Sequence, residues 1–209
     1  MNCKYLGYDV SDINQPDTIG YDNLDVFINL LLADRAIPEA TKELEAEMVF
    51  YQKTPARIVF QMAALAKVRQ DDVFFDLGSG LGQVAILVNL ITGATGRGIE
   101  YEPAYHNYAK ACASHLSLAN VEFINAYVHK GDYSKGTIFF MYTPFKGSML
   151  QDMLKLLDKV SQKRVIRIFT YGPCSSQVAR QCWLSCIHAD AAVHYHLFGF
   201  IIFNAGTCL

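Results

Sequence analysis

The chain alternates between two hydrophobic periods. Val73-Phe-Phe-Asp-Leu77 is a short apolar run that reads as a buried strand, and Val84 to Ile91 is a longer one that reads as a helix. The same change of period recurs downstream. Gly96 to Glu100, Val121 to Asn125, Thr137 to Tyr142 and Arg164 to Thr170 have the length and β-branched or aromatic content of strands. Pro103 to Leu118, Gly147 to Val160 and Ser175 to Ile187 separate them with helical spacing; in the second, Met149, Leu150, Met153, Leu154 and Leu157 share one face. Ala192 to Asn204 closes the pattern as two strands around Gly199, too close together for a crossover helix and therefore a hairpin. Before residue 70 the pattern is helical. Asn23 opens one helix behind an Asn or Asp cap, Pro38 to Met48 starts a second with acids in its first turn, and Thr54 caps a third at Pro55.

Strands alternating with helices imply an α/β fold, a three-layer Rossmann-like sheet with helices on both faces. The expected sheet has seven strands, mostly parallel, with one antiparallel strand from the C-terminal hairpin. Residues 1–69 form an N-terminal helical extension or cap, and residues 70–209 form the ligand-binding domain. The 209 residues are 52% hydrophobic and 18% charged, which excludes a disordered chain. No apolar run reaches membrane-spanning length, and the opening residues lack a signal-peptide pattern, so a cytoplasmic protein is the expectation.

The net charge of −2 conceals an asymmetry. Residues 1–50 carry ten acidic against three basic side chains, and the remainder carries ten against fifteen. The acidic head is either a solvated cap or an element that orients a basic substrate. Nucleic acid is not the expected partner at this charge. Cys174, Cys182, Cys186 and His188 are loosely spaced for zinc, His194 and His196 alternate on a late strand, and the expectation is thiols and no metal.

Between the first buried strand and its helix stands Asp76-Leu77-Gly78-Ser79-Gly80-Leu81-Gly82-Gln83. Glycines here let backbone N–H groups approach a ligand at the carboxyl edge of a parallel sheet. A dinucleotide fingerprint requires a third glycine at position 83, which is Gln83. Glu100 ends the next strand, where a carboxylate suits a ribose diol. Asp76 is placed to accept from an ammonium, directly or through water. The D-x-G-x-G-x-G pattern, the lone Glu and the closing hairpin resemble the class I S-adenosylmethionine (SAM) methyltransferases.

Tyr51-Gln-Lys-Thr54-Pro55 upstream of that loop narrows the likeness. It resembles the disruptor-of-telomeric-silencing-type lysine methyltransferases and their bacterial and archaeal relatives, over about residues 48–145. The resemblance implies SAM as cofactor, held by Tyr51, Thr54, Asp76, Gly78, Ser79, Gly80, Gly82, Gln83 and Glu100. At the adenine edge it implies Asn125, with Tyr127 stacking or Asp132 and Tyr133 folding back. It implies methyl transfer to an amine, foremost a protein lysine. A small molecule, a nucleobase, or SAM binding without catalysis are the alternatives. Tyr142-Thr143-Pro144-Phe145 ends a buried strand as the expected catalytic loop, Thr143 orienting the amine through its hydroxyl or carbonyl. Tyr51, Tyr142, Phe145 and Tyr171 are the expected channel walls.

Overall fold

The computed structural model of the chain describes residues 4–5, 8–9, 21–32, 36–189 and 200–205. A small antiparallel pair, β1 (Lys4–Tyr5) and β2 (Tyr8–Asp9), precedes helices α1 (Asn23–Leu32) and α2 (Ala56–Leu65). The alternating region follows as β3 (Val73–Leu77), α3 (Gln83–Thr92), β4 (Thr95–Glu100), α4 (Pro103–His115) and β5 (Val121–Asn125). Then come β6 (Ile138–Tyr142), α5 (Gly147–Ser161), β7 (Ile166–Tyr171), the single turn α6 (Ser175–Val178), β8 (Ser185–Ala189) and β9 (Phe200–Ala205). The main sheet runs β5-β4-β3-β6-β7-β9-β8. Its first five strands are parallel, and β9 lies antiparallel to both β7 and β8. The expected α/β fold with a mostly parallel sheet is the fold observed. Chain order reverses beside β3, which has β4 on one side and β6 on the other, and this opens a crevice at the carboxyl ends of the strands.

Strand period two divides the core into two layers. Phe74, Ile138, Phe140, Phe169 and Tyr171 face α1, α2, α3 and α4, while Phe75, Phe139, Met141, Ile166 and Ile168 face α5 and α6. Leu150, Met153, Leu154 and Leu157 of α5 are all essentially sealed from solvent, as their spacing requires, and Met149 sits at the margin of that layer.

Three sequence expectations need correction. Pro38 to Met48 is an irregular strap and not a helix, because its polar side chains bond to distant partners described below. Thr54 does not cap α2. Its hydroxyl makes no cap bond, and the first free amide, Ala56 N–H, is taken by Asp25 Oδ1 of α1 at 2.8 Å. The helix expected over Ser175 to Ile187 stops at Val178, and its end becomes the edge strand β8, whose ladder to β9 overrides local helix propensity. The hairpin expected around Gly199, with His194 and His196, falls largely on residues 190–199, outside the described residues.

At the opposite edge of the sheet from the crevice, Arg167 ties three elements together. Its guanidinium donates to the carbonyls of Ala66 and Lys67 at the end of α2 and to Asp72 at the entry to β3. Burial pushes the Asp72 carboxyl up. The Arg69 N–H, the Thr137 hydroxyl and Arg167 outweigh that and hold it below the usual range. Arg167→Met is expected to cost about 3 kcal/mol of stability at pH 7, because it strands a buried carboxylate and two carbonyls. Asp72 contributes stability above its unfolded pKa and loses it as pH falls through the lower folded value. Urea midpoints at pH 7 and pH 3 check this, and the gap between variant and parent narrows at the lower pH.

Candidate active site

The crevice is built from the ends of β3, β4 and β6. Leaving β3, the chain turns through Gly78, Gly80 and Gly82, all with positive φ. All three also admit a close approach, Gly82 with Ala109 and Phe123 2.6 Å from where its Cβ would stand. A Cβ at Gly78 would stand 2.4 Å from Pro144, and one at Gly80 would stand 2.2 Å from the Tyr51 ring. Gly78 N–H and Ser79 N–H both donate to Ile99 O at 3.0 Å, which locks the loop onto β4.

Glu100 closes the far side. Its Oε2 accepts from Gly80 N–H at 2.7 Å and its Oε1 from Glu102 N–H at 2.8 Å. Each oxygen keeps a second lone pair for a ligand. Burial pushes its carboxyl up, against the pull of those amides. Asp76, at the end of β3, is buried and pushed up to about 8, first by burial and then by the charge of Glu100. It is therefore protonated at neutral pH until a cation arrives. The Ser79 hydroxyl is buried against Gly98 of β4, without a hydrogen-bond partner among the described residues.

Tyr51 and Thr54 sit where the loop 51–55 crosses the glycines. The Tyr51 ring lies on Gly80 and 5.7 Å from the ring of Tyr105. Thr54 is buried, and its carbonyl accepts from Gln83 Nε2 at 2.9 Å. Tyr51, Thr54, Asp76, Gly78, Ser79, Gln83 and Glu100 thus line one cleft, together with Tyr142 and Phe145 at its other end. Gly80 and Gly82 shape the loop behind that wall.

Six expected residues fall elsewhere. Asn125 turns away, and its amide donates to the carbonyls of Glu100 and Tyr101, so it braces the end of β4. Tyr127 packs on Tyr101 with centroids 4.8 Å apart and the rings inclined at 50°, and its hydroxyl donates to Glu45. Tyr171 is sealed in the core behind Tyr142 and walls nothing. The Thr143 hydroxyl is committed to the back of its own loop. It donates to Tyr171 O at 3.2 Å and accepts from Cys174 N–H at 3.1 Å, with the backbone at φ 40°. Of the two amine-orienting groups expected from Thr143, only the carbonyl is left. Asp132 is exposed, capping Ser134 N–H, and Tyr133 is buried in the α5 layer, so neither folds back to the cleft.

Other wall residues escaped the sequence reading. Met48, Val49 and Phe50 form an apolar run directly before Tyr51, and Tyr101 directly follows Glu100. Those adjacencies were the available signal. Ala126 and Val128 complete the β5 side.

The strap over residues 41–49 brings Met48 to Phe145 in an isolated antiparallel bridge. Thr41 Oγ1 and Lys42 N–H donate to Glu102 at 2.6 and 2.7 Å. Burial pushes the Glu102 carboxyl up, but these bonds and Ala104 N–H hold it at about 2. At its other end Glu47 accepts from Ser148 N–H and Met149 N–H at 2.9 and 2.7 Å, an anion at the amino end of α5. Among the described residues no group of three or more His, Cys, Asp or Glu is arranged to hold a metal ion, and no helix is long and apolar enough to cross a membrane.

Residues 41–137 match the family model "Histone methylation protein DOT1", slightly under half of the chain. No curated protein matches the sequence significantly. Among solved structures, an RNA methyltransferase from Salinibacter ruber, in complex with S-adenosylhomocysteine, is similar at a TM-score of 0.62 and 24% identity, over 76% of this chain and 96% of that one. The fold is that of the class I SAM-dependent methyltransferases. Within this methyltransferase fold, a precorrin-6y C5,15-methyltransferase from Geobacter metallireducens shares 17% identity at a TM-score of 0.55, over 74% of this chain and 90% of that one. A tRNA m1G37 methyltransferase from M. jannaschii shares 20% at 0.56, over 78% of this chain and 52% of that one. Two of these three methylate RNA by their names, and a net charge of −2 does not set nucleic acid aside as an acceptor.

Proposed function

We propose that the protein is a SAM-dependent methyltransferase that acts on an amine, foremost the side chain of a protein lysine. The observation that carries the cofactor reading is the carboxylate of Glu100, held by Gly80 N–H and Glu102 N–H against the glycine loop, with buried Asp76 beside it. A pyrophosphate would meet two acids here, and Gly80 N–H is already spent on one of them. A nucleoside with a cationic tail meets complementary groups instead: Glu100 for the ribose diol and Asp76 for the ammonium. Tyr51, Thr54 and Gln83 enclose the tail, Gly78, Gly80 and Gly82 give the loop its close approach, and Tyr101 offers a ring face to the base. Asn125 acts one step removed, by holding the Glu100–Tyr101 carbonyls.

Bound SAM supplies an electrophilic methyl group on a sulfonium. The chain's own task is alignment and the exclusion of water, since the sulfonium charge disappears during an in-line displacement. Tyr142, Phe145, Met48 and Met149 make the acceptor end of the cleft apolar and aromatic. Such walls lower the pKa of an amine by desolvation and free its lone pair without a dedicated base. The aromatic faces also attract a cationic acceptor. The DOT1 match supports lysine, as do the strap acids Glu39 and Glu43. The likeness to RNA methyltransferases favours a nucleobase amine as the second reading.

Transfer of labelled methyl from SAM into a cell extract distinguishes the two. Label removed by protease and stable to ribonuclease supports lysine, label removed by ribonuclease supports the second reading, and no transfer to any fraction defeats both. Once an acceptor is in hand, Phe145→Ala is expected to lower turnover at least about tenfold through lost alignment while SAM affinity stays within about threefold. Thr143→Ser keeps both loop bonds and is expected to remain active. Steady-state kinetics and calorimetry read both outcomes.

A further inference from the structure

Lys53 stands in the middle of the cofactor loop, between Tyr51 and Thr54, yet its side chain is only 4% exposed. Lysine is almost never buried to that degree without a partner. Here the partners come from α1. The ammonium donates to Asn29 Oδ1 and lies 3.9 Å from Asp25 Oδ1. Asn29 and Asp25 are themselves buried at 3% exposure. The same helix region holds the loop at two further points. Tyr21 O–H donates to Lys53 O, and Asp25 Oδ1 accepts from Ala56 N–H. On the other side Gln83 Nε2 holds Thr54 O. The segment that carries the Tyr51 ring over Gly80 is thus fixed between α1 and α3, and Lys53 is the side chain through which α1 reaches it. Lys53, Asn29 and Asp25 themselves lie behind the cleft, whose wall is formed by the Tyr51, Thr54 and Gln83 that they help to hold.

We propose that Lys53 is a positioning residue that, through Asn29 and Asp25, fixes Tyr51 and Thr54 over the glycine loop and so sets affinity for the amino-acid tail of the cofactor. The inference rests on the SAM reading above. The energetic argument is one of partnership. A buried ammonium beside one carboxylate and one amide oxygen is tolerated because the geometry is complete, and an apolar side chain of similar length restores no bond to α1. Without that bond the loop keeps its Gln83 contact and its backbone contacts to Tyr21 and Asp25, but loses its side-chain anchor on α1. Tyr51 then samples positions off Gly80, and the tail loses contacts that the ribose and base keep.

The test compares S-adenosylhomocysteine, which has the tail, with methylthioadenosine, which lacks it, by calorimetry on the full chain. Lys53→Met is expected to weaken the first ligand at least about tenfold and the second less than about twofold. Asn29→Ala is expected to weaken the first by a smaller factor, and the double variant no further than Lys53→Met alone. Ile28→Ala, on the same helix and buried but apart from the loop, serves as the control. It is expected to lower the melting temperature and leave both affinities unchanged. Equal binding of S-adenosylhomocysteine by parent and Lys53→Met overturns the inference and leaves the SAM reading standing, as does an equal loss for both ligands. Should Lys53→Met fail to fold, Asn29→Ala and Tyr21→Phe apply the same two-ligand criterion. A parent that binds neither ligand overturns the SAM reading, and this inference with it.

Discussion

Affinity for SAM is expected to rise about 25-fold from pH 6 to pH 8 and to fall again above that. Asp76, pushed up to about 8, carries its proton in the unliganded protein and must release it to pair with an ammonium. Below pH 8 each unit of acidity therefore weakens binding by up to tenfold. Above pH 8 the α-amino group of the ligand, itself with a pKa near 8, loses the charge that Asp76 recognises. Asp76→Asn removes the rise between pH 6 and pH 8 and leaves affinity at or below the parent's value at pH 6. Calorimetry in two buffers of different ionisation enthalpy reads the released proton directly. A flat profile for the parent over pH 6 to 8 would refute the assignment. Stability has the opposite slope. The native state holds a proton that the unfolded chain releases near pH 4, so unliganded stability declines as pH rises through that window, and Asp76→Asn abolishes its share of the decline.

Glu100→Gln is expected to weaken binding by about 100-fold or more, even though it changes only one heavy atom. Both oxygens of Glu100 already accept from backbone amides, Gly80 N–H on one and Glu102 N–H on the other. A glutamine must turn its NH₂ group toward one of those donors. Whichever way it turns, one buried N–H faces another, and one oxygen is lost to the ribose diol. Charge-assisted bonds of this kind contribute about 1.5–3 kcal/mol each, and 2.7 kcal/mol is about 100-fold. Glu100→Ala is expected to be no better, since it leaves both amides without an acceptor. Titration of S-adenosylhomocysteine measures the loss, and circular dichroism of the unliganded variants shows that the sheet persists. A Glu100→Gln protein that binds within threefold of the parent would remove the ribose role.

The parts of this protein that could be read from its sequence are those whose partners are near in the chain. The alternation of strand and helix from Val73 to Tyr171, the glycine loop and the position of Glu100 at the end of β4 all follow from local period and adjacent residues. The strap was misread because Pro38 and the following acids imitate the first turn of a helix. Its polar groups have other work: Thr41 and Lys42 reach Glu102, Glu45 accepts from Tyr127, and Glu47 caps α5 across 101 positions of sequence. A polar side chain bonded that far away leaves no periodic trace. Thr143 failed for the converse reason. Its place in the loop was legible, but the direction of its hydroxyl depends on Cys174 N–H and Tyr171 O, contributed by the end of β7 and the turn after it. Lys53 looked like an ordinary loop lysine until α1 folded over it.

Two aspartates stand on, or at the entry to, the same short strand in contrary states. Asp72, gripped by Arg167, is an anion at one end of β3, while Asp76, four positions on, is an uncharged acid at the other. The crevice therefore greets an arriving nucleoside with a proton donor where a negative site was waiting to be made. An analogue stripped of its amino group, or acylated there, brings no positive charge to draw that proton off. Such compounds should be poor competitors regardless of how well their purine and sugar fit, so the tail rather than the nucleoside decides what the crevice admits.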